Sequence, residues 1–80
     1  MSKEILIASR SDGVRARYVL EVFEEGDHWT STLAKLDAHG EPEAARAAPR
    51  FYGFTREQAR RRMISVLEND FDEVSPEPER

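Results

Sequence analysis

The sequence predicts an α+β fold in which an antiparallel meander sheet of three to four strands packs against one C-terminal helix, in the order β-β-β-(β)-α. Two glycine-containing dipeptides separate three segments of alternating apolar residues, and an amphipathic segment follows them. A chain of 80 residues with 35% charged residues has apolar side chains for one thin layer only. We therefore expect a single domain with its core between sheet and helix.

The first hairpin is predicted by Asp12-Gly13, since Asp-Gly is a preferred central pair of two-residue type I′ turns. This turn sets small or apolar residues opposite one another. The expected pairs are Ser11 with Val14, Ser9 with Ala16, Ile7 with Tyr18, and Ile5 with Leu20. The first strand is expected over residues 4–10.

Gly26-Asp27 predicts the second hairpin, with glycine first as a type II′ turn prefers. It pairs Glu25 with His28 and opens a third strand that ends near Leu36. One face of the sheet then gathers the large apolar residues. This predicted core face consists of Ile5, Ile7, Tyr18, Leu20, Trp29 and Leu33.

Residues 37–49 contain Gly40, Pro42 and Pro49 and show no strand pattern, so they predict a long connection. Its alanine-rich part, residues 43–48, could form one helical turn. Residues 50–52 are short and β-prone, and they predict a fourth strand at the edge of the sheet.

The helix is predicted to begin after Thr55, which can cap the first turn while Gln58 completes a capping box. It is expected to end near Asn69. The apolar residues recur at helical spacing on one side. That stripe consists of Ala59, Met63, Val66 and Leu67, with Ile64 at its border.

The predicted domain covers residues 1–70. Residues 71–80 mix acids with prolines without periodicity, which is typical of a disordered acidic tail. Phe71 and Val74 are the two residues of this segment that could fold back onto the domain.

The residues that usually carry catalysis are sparse. There is no cysteine, and His28 and His39 fall in a predicted turn and a predicted loop without a third ligand nearby. No serine lies in a nucleophile elbow, and no glycine-rich phosphate loop is present. We expect a protein that is not an enzyme and that uses no metal and no cofactor.

The apolar stretch near the N-terminus, residues 5–8, is too short for a signal peptide or a membrane span. The absence of cysteine is compatible with a reducing compartment. We therefore expect a cytoplasmic protein that makes no use of a membrane.

The second face of the predicted sheet is also apolar, although one helix can cover only one face. In the expected register its apolar residues are Leu6, Val19, Phe23 and Ala34. An exposed apolar patch usually marks an interface. These four residues are the predicted surface for a protein partner or for self-association, the latter giving a structural homodimer.

Arginines predict an alternative function, nucleic-acid binding, although the chain has a net charge of -4. Residues 44–63 contain six arginines and a single acidic residue, Glu57. The cluster consists of Arg46, Arg50, Arg56, Arg60, Arg61 and Arg62. Arginines at this density can bind phosphates, but their spread around a helix and the acidic segment that follows favour an ordinary solvated surface.

Residues 52–59 open the amphipathic helix with the sequence YGFTREQA. Together with the preceding order of hairpin, strand, loop and short strand, this segment resembles the partial RNase-H-like domain of HicB-type antitoxins and their solitary relatives. The resemblance covers residues 15–69. It implies a protein that binds and masks a small toxin partner, and it transfers no catalytic residue.

Overall fold

The computed structural model describes residues 2–43 and 49–77. Within these ranges it contains five strands and one helix. In chain order they are β1 Ser2–Ser9, β2 Arg15–Glu25, β3 His28–Lys35, β4 Arg50–Gly53, α1 Arg56–Asp70 and β5 Glu73–Pro76. The strands form one open antiparallel sheet in the order β4-β3-β2-β1-β5, and α1 packs on one side of it. The predicted α+β fold is confirmed, with one strand more than expected.

The second hairpin forms as the sequence predicts. Glu25 lies opposite His28, and Gly26 has a φ of +60° while Asp27 does not have a positive φ, which is the backbone pattern of a type II′ turn. The register that follows is the predicted one: Leu20 with Leu33, Val22 with Ser31, Glu24 with Trp29, and Val19 with Ala34.

The predicted register of the first hairpin is wrong by one residue. Arg10 N–H donates to Val14 O at 2.8 Å, and Gly13 N–H donates to Arg10 O at 3.0 Å. The loop is therefore three residues long, and only Gly13, with a φ of +96°, has the left-handed backbone that a type I′ turn would also require at Asp12. Asp12 Oδ1 instead accepts a hydrogen bond from Val14 N–H at 3.1 Å.

This shift turns the side chains of β1 over, because neighbouring residues of a strand face opposite sides. Leu6 lies opposite Tyr18, and Ile5 lies opposite Val19. Leu6 is 1% exposed and belongs to the core. The assignment of Leu6 to the outer side, and of Ile5 and Ile7 to the core, is therefore wrong.

The core lies between α1 and the inner side of the sheet. Four helix residues are buried, namely Ala59, Met63, Ile64 and Leu67. From the sheet they meet Leu6, Leu20, Val22 and Leu33. Buried Ser31 donates from Oγ to Ala59 O at 2.7 Å, so the polar group on this side is satisfied. The predicted stripe is confirmed, except that Val66 is half-buried and Ile64 takes the deeper position.

The start of α1 is fixed against the edge strand β4, which forms where it was predicted. Thr55 Oγ1 accepts from Gln58 N–H at 3.1 Å, as a helix cap does. Gln58 Oε1 accepts from Phe54 N–H at 2.6 Å, one residue before the position in a standard capping box. A side-chain carbon at Gly53 would lie 2.7 Å from Ala59 N, so β4 and α1 approach too closely there for any larger residue.

The prediction of a disordered tail from residue 71 onward is wrong for the part that the structure describes. Residues 73–76 form β5 antiparallel to β1, and Asp72 N–H donates to Ser9 O at 2.9 Å. Phe71 and Val74 pack against the core, as the sequence had allowed. Residues 78–80 lie outside the described residues.

The connection after β3 begins with a tight bend. Asp37 Oδ1 accepts from His39 N–H at 2.9 Å and from Glu41 N–H at 3.0 Å, and Leu36 forms a bridge to Pro42. A helical turn was predicted for residues 43–48. All of these except Glu43 lie outside the described residues.

Candidate functional site

The side of the sheet that faces away from α1 is here called the outer face. Five apolar side chains lie there on β1, β2 and β3, and each is half-buried. Four of them are neighbours, whereas Phe23 is separated from Val19 by Glu21. This outer apolar patch consists of Ile5, Ile7, Val19, Phe23 and Ala34. Within the described residues no helix covers it.

Three of the four residues predicted for a partner surface, Val19, Phe23 and Ala34, lie in the outer apolar patch. Leu6 does not, because the register shift places it in the core. Ile5 and Ile7 take its place, and the sequence analysis missed both. Residues 5–8 are all apolar, so their pattern could not reveal which pair faces outward.

Three ion pairs lie among and beside these apolar side chains, one between neighbouring strands and two that reach across an intervening strand. Lys3 Nζ lies 3.8 Å from Glu21 Oε1, Arg17 Nη2 lies 2.8 Å from Glu77 Oε1, and Arg50 Nη1 lies 3.3 Å from Glu25 Oε1. All six side chains are partly exposed, so each pair contributes little to folding stability. Together they place charged side chains among and beside the apolar ones, and each of these cations has an acid beside it.

Phe23 is held in place by its neighbours on the outer face. The Arg50 guanidinium lies 5.9 Å from the centre of the Phe23 ring, within the range of a cation–π contact. Thr30, opposite Phe23, is fully buried and donates from Oγ1 to Glu25 Oε1 at 2.6 Å. The ring is therefore a fixed apolar group near the C-terminal end of β2.

The predicted arginine cluster is divided among different parts of the surface. Arg50 lies on the outer face, whereas Arg60 Nε donates to Glu4 Oε1 at 2.5 Å and ties α1 to β1. The hydrogen bond to Glu4 raises the pKa of Arg60, against an opposing effect of burial. Arg61 Nη2 lies 3.6 Å from Glu68 Oε1. Arg46 lies outside the described residues.

A second surface, which the sequence analysis did not identify, lies where β4 meets α1. Here called the β4 corner, it is formed by His28, Tyr52, Gly53, Phe54, Gln58 and Arg62, which line a depression of about 130 Å³. Phe54 is 84% exposed and Tyr52 is 49% exposed. The rings of His28 and Tyr52 meet edge to face at 5.4 Å. Large apolar side chains this exposed are uncommon and indicate a binding surface.

The two histidines stand far apart. His28 begins β3 and has Asp27 Oδ1 3.3 Å from its Nδ1, whereas His39 follows the end of that strand. Strand geometry separates them by more than about 20 Å. Among residues 2–43 and 49–77 no three histidine or acidic side chains are grouped as metal ligands would be.

The helix can be compared with a membrane-spanning segment. In the part of the chain that the structure describes, α1 is neither long nor apolar enough to cross a bilayer.

Comparison with known proteins adds no functional assignment. No protein-family model matches the sequence. No curated protein and no solved structure matches it either. Function is therefore inferred from the two surfaces of the fold itself, the outer apolar patch and the β4 corner.

Proposed function

We propose that this chain is a non-catalytic interaction module that binds a partner protein through the outer apolar patch. One observation carries the proposal: in the part of the chain that the structure describes, an open sheet with a helix on one side presents five apolar side chains on the other. Partly exposed apolar side chains grouped on one uncovered face are typical of protein interfaces.

The arrangement around the patch supports a protein partner. Interfaces combine apolar and polar groups, and here three ion pairs lie among and beside the apolar side chains. Phe23 is a suitable anchor, because its ring is already fixed by Arg50 and by the buried Thr30 beside it. A fixed aromatic side chain loses little conformational freedom on binding.

We take the partner to be a different protein rather than a second copy. The resemblance to HicB-type antitoxins supports this choice, because those proteins bind a small toxin. We also place the module in the cytoplasm, where a chain without cysteine loses nothing to reducing conditions. A homodimer formed through the same patch is the competing arrangement.

Nucleic-acid binding through the arginine cluster is less well supported by the geometry. Arg50 and Arg60 point to different sides of the sheet, and both are paired with acids. Arg61 also has an acid nearby. Binding to nucleic-acid phosphates depends on several cations that act together. Arginines scattered in this way would bind nucleic acid more weakly than arginines grouped on one surface.

The variant Phe23→Lys tests the proposal. A lysine in place of Phe23 would place a charge against an apolar surface of the partner. We expect the affinity to fall at least tenfold, which corresponds to about 1.4 kcal/mol. The partner would first be co-purified from native cytosol, identified and produced separately, and its affinity would then be measured by calorimetry.

Val14→Lys is the matched control, because Val14 lies at the tip of the first hairpin, is 41% exposed and gives the same change in charge. We expect it to bind normally. Normal binding by Phe23→Lys would overturn the proposal. Sedimentation of the purified chain tests the homodimer. If the unaltered chain sediments as a dimer and Phe23→Lys sediments as a monomer, the patch joins two copies of this chain.

A further inference from the structure

The strand β4 lies at one end of the sheet. Leu36 N–H donates to Arg17 O on β2 at 2.8 Å, which fixes the alternation along β3: even-numbered residues bond to β2 and odd-numbered residues bond to β4. The β4 residues opposite even-numbered positions are Arg50 and Tyr52. Their backbone N–H and C=O groups are therefore directed to the open edge.

The opposite edge of the sheet is less suited to pairing. Glu77 N–H donates to Ile5 O at 2.8 Å, so in β5 the groups of Val74 and Pro76 are directed outward. Proline has no N–H to donate, and proline on an edge strand hinders further pairing. Of the two edges that the described strands form, β4 is the one with consecutive donors and acceptors.

Two adjoining depressions lie beside the β4 edge. On the outer face an open depression of about 510 Å³ is lined by Glu25, His28, Arg50 and Tyr52. The β4 corner, with its depression of about 130 Å³, shares His28 and Tyr52 with it and continues past Gly53 to α1. A strand added to an edge sends alternate side chains to opposite sides. The outward-facing side chains of an added strand would therefore lie beside these depressions.

The two depressions differ in chemistry. The β4 corner exposes the rings of Tyr52 and Phe54, which suits an apolar or aromatic side chain. Arg62 stands beside them, and no carboxylate of the described residues lies within 4.0 Å of its guanidinium. A carboxylate of the partner could pair with it.

We propose that β4 is a docking edge for an extended acidic segment of a partner protein, which adds to the sheet as a further strand. Its backbone pairs with Arg50 and Tyr52, one apolar side chain enters the β4 corner, and a carboxylate pairs with Arg62. Arg50 lies beside both this site and the outer apolar patch, but the β4 corner lies outside the patch and the proposal does not depend on it.

Charge decides against a second copy of this chain as the occupant. Pairing β4 with β4 of another copy would bring Arg62 of both copies towards one seam, and Arg50 of each copy already has Glu25 beside it. An acidic segment meets Arg62 with opposite charge. Single-stranded nucleic acid could stack on Phe54, but it would leave the backbone groups of Tyr52 unpaired, whereas an extended peptide satisfies them.

A synthetic probe tests the proposal on the full chain. The probe is a short blocked peptide in which valine and phenylalanine alternate with glutamate. We expect it to bind and to protect the Tyr52 amide proton from solvent exchange in nuclear magnetic resonance spectra. The control peptide carries N-methyl groups on alternate backbone nitrogens along the pairing edge, and we expect its affinity to be at least tenfold lower.

Paired variants locate the site. Arg62→Glu should weaken binding of the probe at least tenfold, whereas Arg61→Glu, the same change one residue earlier and outside the corner, should alter it less than twofold. Phe54→Ala should also weaken binding at least fivefold without loss of folding, since Phe54 is 84% exposed. Neither Arg62→Glu nor Phe54→Ala should affect capture of the partner of the outer apolar patch, so the two proposals can fail independently.

Five results would overturn this inference. The N-methylated peptide could bind as well as the probe, which would exclude backbone pairing. The probe could fail to bind, or Arg61→Glu could weaken it as much as Arg62→Glu. Protection of Tyr52 that increases with the concentration of the chain alone would assign the edge to a second copy. Binding of a single-stranded oligonucleotide that Phe54→Ala abolishes, in place of peptide binding, would assign the corner to nucleic acid.

Discussion

Gly13 controls which residues of β1 enter the core. With a φ of +96°, it closes a three-residue loop, and no other residue of that loop has to adopt a left-handed backbone. The alternative two-residue turn would place Asp12 there too, which is less favourable for a residue with a side chain. This local backbone preference determines that Leu6, and not Ile5, faces α1.

Alanine substitutions at two adjacent positions test this register. Leu6→Ala removes a side chain that is 1% exposed, and we expect the free energy of unfolding to fall by about 2–5 kcal/mol. Ile5→Ala removes a half-buried side chain on the uncovered face, for which we expect about 1 kcal/mol or less. Urea unfolding of both variants measures the difference. A larger loss for Ile5→Ala would show that the two-residue register is the populated one.

Elements with a local signal were predictable, whereas those that depend on distant contacts were not. The second hairpin and α1 follow from Gly26 and from Thr55, each of which acts within a few residues. Nothing near residues 73–76 predicts a strand, because β5 forms only through pairing with β1 and packing of Val74 on the core. The β4 corner was missed for the same reason, since sequence does not place His28 beside Tyr52.

Hydrogen exchange tests whether β5 is formed in solution. The amides of Asp72 and Glu77 donate to Ser9 O and Ile5 O of β1, whereas the amide of Val74 is directed to solvent. We expect the first two to exchange at least about tenfold more slowly than the third, which is a difference of about 1.4 kcal/mol in opening free energy. Val74 is an internal control within the same strand. Equal rates at all three positions would show that this segment does not pair with β1.

At the scale of the whole molecule, the described residues form one helix and five strands, and among them the sheet is covered on one side only. An 80-residue chain of this kind has a stability of only about 4–12 kcal/mol. The apolar side chains are shared between the core and the outer apolar patch, so not all of them contribute fully to folding. A partner that covers the patch would add to stability as well as complete the layer.

The free energy of unfolding should depend on alkaline pH through the ionisation of Tyr18. Burial, followed by the charges of Asp70 and Glu43, raises the pKa of Tyr18 above its usual value of 10.0. The unfolded chain therefore loses this proton first as the pH rises through about 10. Below that pH the contribution to stability is complete, and above it the free energy of unfolding decreases until the folded protein also ionises.

Tyr18→Phe removes this ionisation but keeps the ring that meets Phe71 edge to face at 6.1 Å. We expect the free energy of unfolding to decrease less steeply for Tyr18→Phe than for the unaltered chain above pH 10, as measured by urea unfolding at a series of pH values. Tyr52→Phe is the matched control, because that ring is 49% exposed and lies outside the core. Apart from Tyr18 and Tyr52, the titrating groups are the same in all three proteins, so their effect on the free energy of unfolding cancels in the comparison. An equally steep decrease for Tyr18→Phe would mean that the Tyr18 hydroxyl is solvated alike in the folded and unfolded states, against its position beside the core.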